Sequence, residues 1–199
     1  MDKKLSTFSS GFTLIEVLIA IVIFSVGLLA LAKLQIYSLR LTHDSLLRST
    51  ANLLAADMAD RIRANPVAAN LGRTGPYNNP TGLAVGNPNC LGKGGDGAAN
   101  NSSCTTTQMA QHDFYEWNAT LAGAPATSWY PKVSAELPNG AGIVCIDSTP
   151  KDGTPTNPAC DNIAPPSGKT VYSIKVWWTE RVDQQNPGTL QQYVLELSL

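Results

Sequence analysis

The chain has 199 residues, a net charge of −1 and only 15% charged side chains. That length suits one soluble domain of ordinary size with a shorter segment attached. The sparse, nearly balanced charge excludes a basic nucleic-acid surface and an acidic disordered tail.

Residues 1–11 read as a short leader carrying Lys3 and Lys4. Basic residues ahead of an apolar run favour a cytoplasmic N-terminus, with the rest of the chain across the membrane. The run begins Gly11-Phe12-Thr13-Leu14-Ile15-Glu16 and stays apolar to Ala32. As a helix, Phe12 to Ala32 spans about 31 Å, close to a bilayer core. Glu16 is its one ionised side chain, and an acid there costs about 3 kcal/mol on insertion scales. Two explanations stand: a signal anchor that tolerates an interfacial acid, or an acid that gains a partner later. A cleaved secretory signal is a competing reading, with Ala30-Leu31-Ala32 as the small-x-small site. The run is longer than an ordinary signal core, and it flows into more helix rather than a turn.

The helical pattern continues without a breaker to Asn65, where Pro66 ends it. Past the membrane segment, Ile36, His43, Leu47, Ala51, Leu54, Met58 and Ile62 form one apolar stripe, and Leu39, Leu46 and Leu53 form an adjacent one. Arg40, Asp44, Arg48, Asn52 and Arg63 mark the opposite, polar face. The first half is apolar all round and the second is amphipathic, which suits a helix that starts in lipid and ends against a globular domain. His43, inside the buried stripe, reads as a packed residue. The whole element is about 80 Å long.

Residues 66–104 are rich in Gly, Asn and Pro and read as a long irregular loop with at most a short strand at Leu83–Val85. Residues 105–122 read as a helix with Met109, Phe114, Trp117 and Leu121 on its apolar face and Thr105–Thr107 as its cap. Leu137-Pro138-Asn139-Gly140 is a turn, Ile143–Ile146 a short buried strand, and 147–169 a second Pro/Gly loop. Tyr172, Ile174, Val176 and Trp178 alternate with Ser173, Lys175 and Trp177, which predicts a strand with one face in the core. Leu190–Leu197 pairs with it across the loop at Asp183–Gly188. The fold class is α+β: a long N-terminal helix packed on a small antiparallel sheet, an α/β roll. The segments are a leader (1–11), a transmembrane helix (12–32), its amphipathic continuation (33–65) and a globular domain (66–199).

Cys90, Cys104, Cys145 and Cys160 all follow the membrane segment, and an even count in an exported domain reads as disulfides. Three pairings exist. The sequence-local one, Cys90–Cys104 and Cys145–Cys160, closes the two Gly/Pro/Asn-rich loops, each closure worth about 3 kcal/mol. Zinc is a poor fit, because no Cys-x-x-Cys occurs and His43 and His112 lie far from any cysteine. Ser167-Gly168-Lys169-Thr170 resembles the end of a phosphate loop. Ile163 stands where its first glycine belongs, and Pro165 and Pro166 remove backbone donors. Asp147, Asp152 and Asp161 lack calcium-loop spacing. Asn101 and Asn118 sit in glycosylation sequons, which says little by itself. No nucleophile elbow or metalloprotease motif is present. No catalytic residue, cofactor or metal site is expected.

The Gly11-Phe12-Thr13-Leu14-Ile15-Glu16 block resembles the class III signal of type IV prepilins: short basic leader, glycine, methylatable phenylalanine, and glutamate as fifth mature residue. The order beyond it resembles the PilV-type minor pilins. It runs from Trp117–Leu121 through Leu137-Pro138-Asn139-Gly140-Ala141-Gly142 to a strand ending in Trp177-Trp178. Two departures are visible. Ser10, not a basic residue, precedes Gly11, and Cys160 lies far from the C-terminus, unlike in many major pilins. The resemblance implies that a prepilin peptidase cuts between Gly11 and Phe12, that the Phe12 amine is methylated, and that Glu16 faces an N-terminal amine in a filament. It implies partners in other minor pilins, the major pilin, the inner-membrane assembly platform and, before assembly, membrane lipid. A type II secretion pseudopilin and a non-polymerising anchored binding domain are the alternatives.

Overall fold

A computed structural model describes residues 11, 13–82, 90, 104–118, 133–163, 171–180 and 188–199. The chain divides into two compact units, Met1–Ser45 and Leu46–Leu199. Helix α1 runs from Leu14 to Ala64, about 77 Å at helical rise. Proline at 66 disfavours the helical conformation at Asn65, whose φ of −121° and ψ of 65° break the helix there. Pro66 then serves as the first residue of the short helix α2, Pro66–Ala69. A 3₁₀ turn, Gly72–Thr74, follows. Arg61 and Arg63 lie in the last turn of α1, where the helix dipole favours cations.

In the first unit every large apolar side chain from Leu14 to Leu41 is exposed. His43 is exposed as well, with its Nδ1 3.9 Å from Asp44, so the packed histidine expected from the stripe is not there. Ile36 and Leu39 are likewise exposed.

In the second unit, α1 buries Leu47, Ala51, Leu54, Ala55, Met58, Ala59 and Ile62. The adjacent stripe does not join them: Leu46 and Leu53 are 62% and 67% exposed. Successive residues on a helix point about 100° apart, so covering Leu47 and Leu54 leaves their N-terminal neighbours facing out. The expected polar face is corrected too. Arg48 reaches Glu180 at 3.5 Å, and Asn52 accepts a 2.8 Å hydrogen bond from the Tyr193 hydroxyl, so part of that face borders the sheet.

Helix α3 spans Thr106–Asn118 and starts with a reciprocal cap. Thr105 Oγ1 accepts from the Gln108 amide at 3.2 Å, and Gln108 Oε1 accepts from the Thr105 amide at 2.9 Å. Ala110, Phe114 and Trp117 are its buried apolar residues, while Met109 is 36% exposed. Residues 119–122, including Leu121, lie outside the described residues, as do Leu83–Val85 and Ser167–Thr170. A short helix α4, Val133–Glu136, which the pattern did not predict, precedes the Pro138-Asn139-Gly140 turn.

The sheet has strands β1 (Ala141–Cys145), β2 (Val171–Glu180) and β3 (Thr189–Ser198) in the order β1-β2-β3, all antiparallel. Ala141 pairs with Trp177 and Cys145 with Ser173. Val171 pairs with Ser198 and Glu180 with Thr189. Tyr172, Ile174, Val176 and Trp178 join Leu47, Leu54, Met58 and Ile62 in the core. The alternation predicts one core face for β2, and the structure covers both. Ser173, Lys175 and Trp177 are all 0% exposed. Residues of the 146–163 loop reach them: Lys175 Nζ donates to the Pro158 carbonyl at 2.8 Å, and Cys160 packs against Trp177. Gly142 is required where β1 meets α3, because a Cβ there would lie 2.5 Å from the Trp117 ring. Disulfides join Cys90 to Cys104 and Cys145 to Cys160, the two sequence-local pairs.

Candidate functional site

The N-terminal segment is built around one carboxylate on an apolar rod. Gly11 is exposed and Thr13 immediately precedes the helix. The Thr13 carbonyl accepts from the amides of Glu16 at 3.1 Å and Val17 at 3.4 Å, closing the first turn. Glu16 therefore sits in that turn, at the positive end of the helix dipole. It stands beside Val17, Ala20, Ile21 and Phe24, which form a shallow apolar groove. The helix is long and apolar enough to cross a membrane. Its Ser25 hydroxyl donates to the Val22 carbonyl at 2.8 Å, which lowers the cost of a hydroxyl in lipid. Phe12 lies outside the described residues.

A second cluster ties the end of α1 to α3. Arg61 lies 3.0 Å from Asp57, 3.5 Å from Asp113 and 2.8 Å from Glu116. Glu116 also meets His112 Nε2 at 3.1 Å, and the Tyr77 hydroxyl donates to Asp113 at 2.5 Å. Burial works against the Arg61 charge, but hydrogen bonds to Glu116 and Asp57 outweigh it and hold the guanidinium above its ordinary range. Burial, reinforced by the Asp113 bond, pushes the Tyr77 hydroxyl up. Burial also pushes the Asp113 carboxyl up, ahead of the opposing pull of Tyr77 and Arg61. For Glu116 burial loses: bonds from His112 and Arg61 hold it below the usual carboxylate range. The cluster joins residues 57, 61, 77, 113 and 116 into one polar joint.

A third cluster lies on the opposite face of the sheet. Lys175 Nζ is 2.5 Å from Asp147 Oδ2, and both side chains are 0% exposed. The ammonium also donates to the Pro158 carbonyl at 2.8 Å and to the Asp152 carbonyl at 3.3 Å. Asp147 Oδ1 accepts from the Thr149 amide at 3.0 Å. Asp147 sits near Cys145 and Cys160, but the cysteines are bonded to each other and the lysine occupies the carboxylate. A cation has no place there.

Residues 8–32 match the prokaryotic N-terminal methylation motif, and residues 33–115 match the model of the type IV pilin Tt1218. The two matches abut at the end of the apolar run. Over residues 8–115 the chain is similar to the type IV pilins. Its long helix and small antiparallel sheet are consistent with that fold. Neither the curated proteins nor the solved structures returned a match.

For a pilin with this signal, processing by prepilin peptidase and assembly with other pilins follow. A pilin is a structural subunit rather than an enzyme, and the Arg61 and Lys175 clusters are read accordingly: each joins segments distant in sequence. Sequence reasoning placed Glu16 but missed both clusters. Arg61 was absent from the polar face that named Arg63. Lys175 alternates with the core face of its strand, and the alternation names no partner for it. The signal was present but non-local, since its partners Asp147 and Pro158 lie in a loop whose path no periodicity encodes.

Proposed function

We propose that this chain is a minor subunit of the PilV type that takes part in priming and assembling a type IV pilus, with adhesion or motility as the activity served. Prepilin peptidase removes residues 1–11 by cutting between Gly11 and Phe12, and the new Phe12 amine is methylated. Residues 12–32 hold the subunit in the inner membrane, with the N-terminus cytoplasmic, until they pass into the filament, and residues 33–65 continue that helix into the domain of 66–199. In the filament the Glu16 carboxylate meets an N-terminal amine, of the same or a neighbouring subunit. The major pilin, other minor pilins and the inner-membrane platform are its partners, and the pilus tip is one location open to it.

The observation that carries this reading is the methylation-motif match over residues 8–32, whose described part from Leu14 to Ala32 is helix with every apolar side chain exposed. An exposed apolar rod demands either lipid or other rods, and a pilin exchanges one for the other. Mass spectrometry of the mature N-terminus tests the first half: a chain starting at methylated Phe12 supports it, and one starting at Met1 overturns it. Gly11→Val should leave the full-length precursor in the membrane. Recovery of the protein in sheared pili tests the second half, and its absence there with normal maturation would favour a secretion pseudopilus.

A further inference from the structure

Exposed hydrogen bonds such as Ser148–Asp161 and Gln192–Asp152 help hold the loop over the second face of the sheet, and two stronger fastenings share their ends. Cys145 and Asp147 stand two residues apart at one end, Pro158 and Cys160 two apart at the other. The disulfide joins the cysteines. Lys175, from the central strand, joins the inner pair: Nζ lies 2.5 Å from Asp147 and 2.8 Å from the Pro158 carbonyl.

By its own contacts this layer is a poor bargain. It takes an ammonium and a carboxylate fully out of water, which costs more than most ion pairs return unless the geometry is held. It also buries Ser173 Oγ and Trp177 Nε1 with no hydrogen-bond partner among the described residues, and water would satisfy both if the layer opened. The apolar gain on this side is small: Trp177 against Ile143, Cys145 and Cys160. The cysteines therefore supply both part of the packing and the covalent closure.

We propose that the Cys145–Cys160 disulfide and the buried Lys175–Asp147 pair form one redox-gated latch. With the thiols reduced, the loop stands open and Lys175, Ser173 and Trp177 are hydrated, while the helix-facing core of the sheet stays packed. Thiol–disulfide exchange with a disulfide-bearing oxidant, which takes up the two electrons and two protons and leaves as a dithiol, forms Cys145–Cys160, closes the loop and forces the pair into its dry site. The second layer thus forms only in an oxidising compartment. Because coupling is reciprocal, the ion pair protects the disulfide as much as the disulfide protects the pair.

The test uses the full chain in detergent micelles and acetylation of lysine amines, read by mass spectrometry. Lys151, exposed in the same loop, is the internal standard. In the oxidised protein Lys175 should react at least about tenfold more slowly than Lys151. After reduction by a small dithiol that gap should close, while the α3 amides around Trp117 keep their protection from hydrogen exchange. Continued protection of Lys175 after reduction overturns the latch. Loss of the α3 protection overturns it too, by making the disulfide a staple of the whole fold. The second arm is Asp147→Asn. There Cys145–Cys160 should be reduced at least about tenfold faster than in the wild type, with Cys90–Cys104 unchanged as the control. Equal rates in mutant and wild type, or equal acceleration of both disulfides, would overturn the proposal.

Discussion

The Trp117 indole donates a 2.8 Å hydrogen bond to the Leu54 carbonyl, from α3 to the C-terminal third of α1. Leu54 is 2% exposed and Trp117 0%. The bond fixes the register of α3 on α1, and the same ring forms the floor under Gly142 of β1. One side chain therefore positions the helix pair and the first strand.

Trp117→Phe should destabilise the domain by about 2–3 kcal/mol, by losing that bond and part of the ring volume. Gly142→Ala should cost about 1–3 kcal/mol through overpacking. The clash involves the six-membered part of the indole, which phenylalanine does not fill. Gly142→Ala should therefore cost less in the Trp117→Phe background than alone. Urea unfolding of the four proteins checks this, and strict additivity would contradict the contact.

The Arg61 joint makes a pH prediction of definite sign. Glu116 is held below its ordinary value by His112 and Arg61 against the cost of burial. Its stabilisation is present above the unfolded-state value, about 4.3, and is lost as pH falls through the folded value. Glu116→Gln should thus be about 1–2 kcal/mol less stable than wild type at neutral pH, and the gap should close in acid. Asp113 is raised, chiefly by burial, so its contribution is present at low pH and is lost as pH rises through its folded value. The gap between wild type and Asp113→Asn should therefore grow on acidification. Urea midpoints at neutral and acid pH measure both.

Removing only the cation of the buried pair should be costly. Lys175→Met leaves Asp147 buried with no counter-charge from that lysine and should lose about 3–5 kcal/mol. Adding Asp147→Leu removes the stranded acid as well, and the double variant should recover most of the loss. Thermal or urea unfolding distinguishes this from a simple packing defect, in which the second substitution would add to the damage.

Glu16→Ala separates insertion from assembly. The variant should be cleaved, stay in the membrane and fold, since lipid tolerates alanine better than an acid. It should enter filaments less efficiently, because an N-terminal ammonium would then be buried unpaired. The measurement is the amount co-purifying with sheared pili at matched membrane levels. Equal incorporation would mean that Glu16 is a tolerated interfacial acid.

Much of the fold was legible because it is written locally. The apolar run around Glu16 needs no tertiary context, since length and composition alone set its solvent. Pro66 ends α1 through a clash with its own neighbour, Asn65. The Tyr172–Trp178 alternation gave β2 and its core face, and the helical spacing of Leu47, Leu54, Met58 and Ile62 gave the matching face of α1. The same periodicity over-extended itself at His43, Leu46 and Leu53. A stripe one residue wider looks the same in sequence, and only the width of the facing sheet decides where cover stops.

What the sequence by itself determined is the long helix and its C-terminal end, α3, the three strands and one buried face, though not the short helices α2 and α4, because sterics, periodicity and turn chemistry act over a few residues. What only the tertiary structure decided is which second faces are covered and which charges meet. Arg61 finds Glu116 across 55 residues and Lys175 finds Pro158 across 17. Those meetings depend on the paths of loops, and a loop's path is set by the whole packed domain rather than by its own residues.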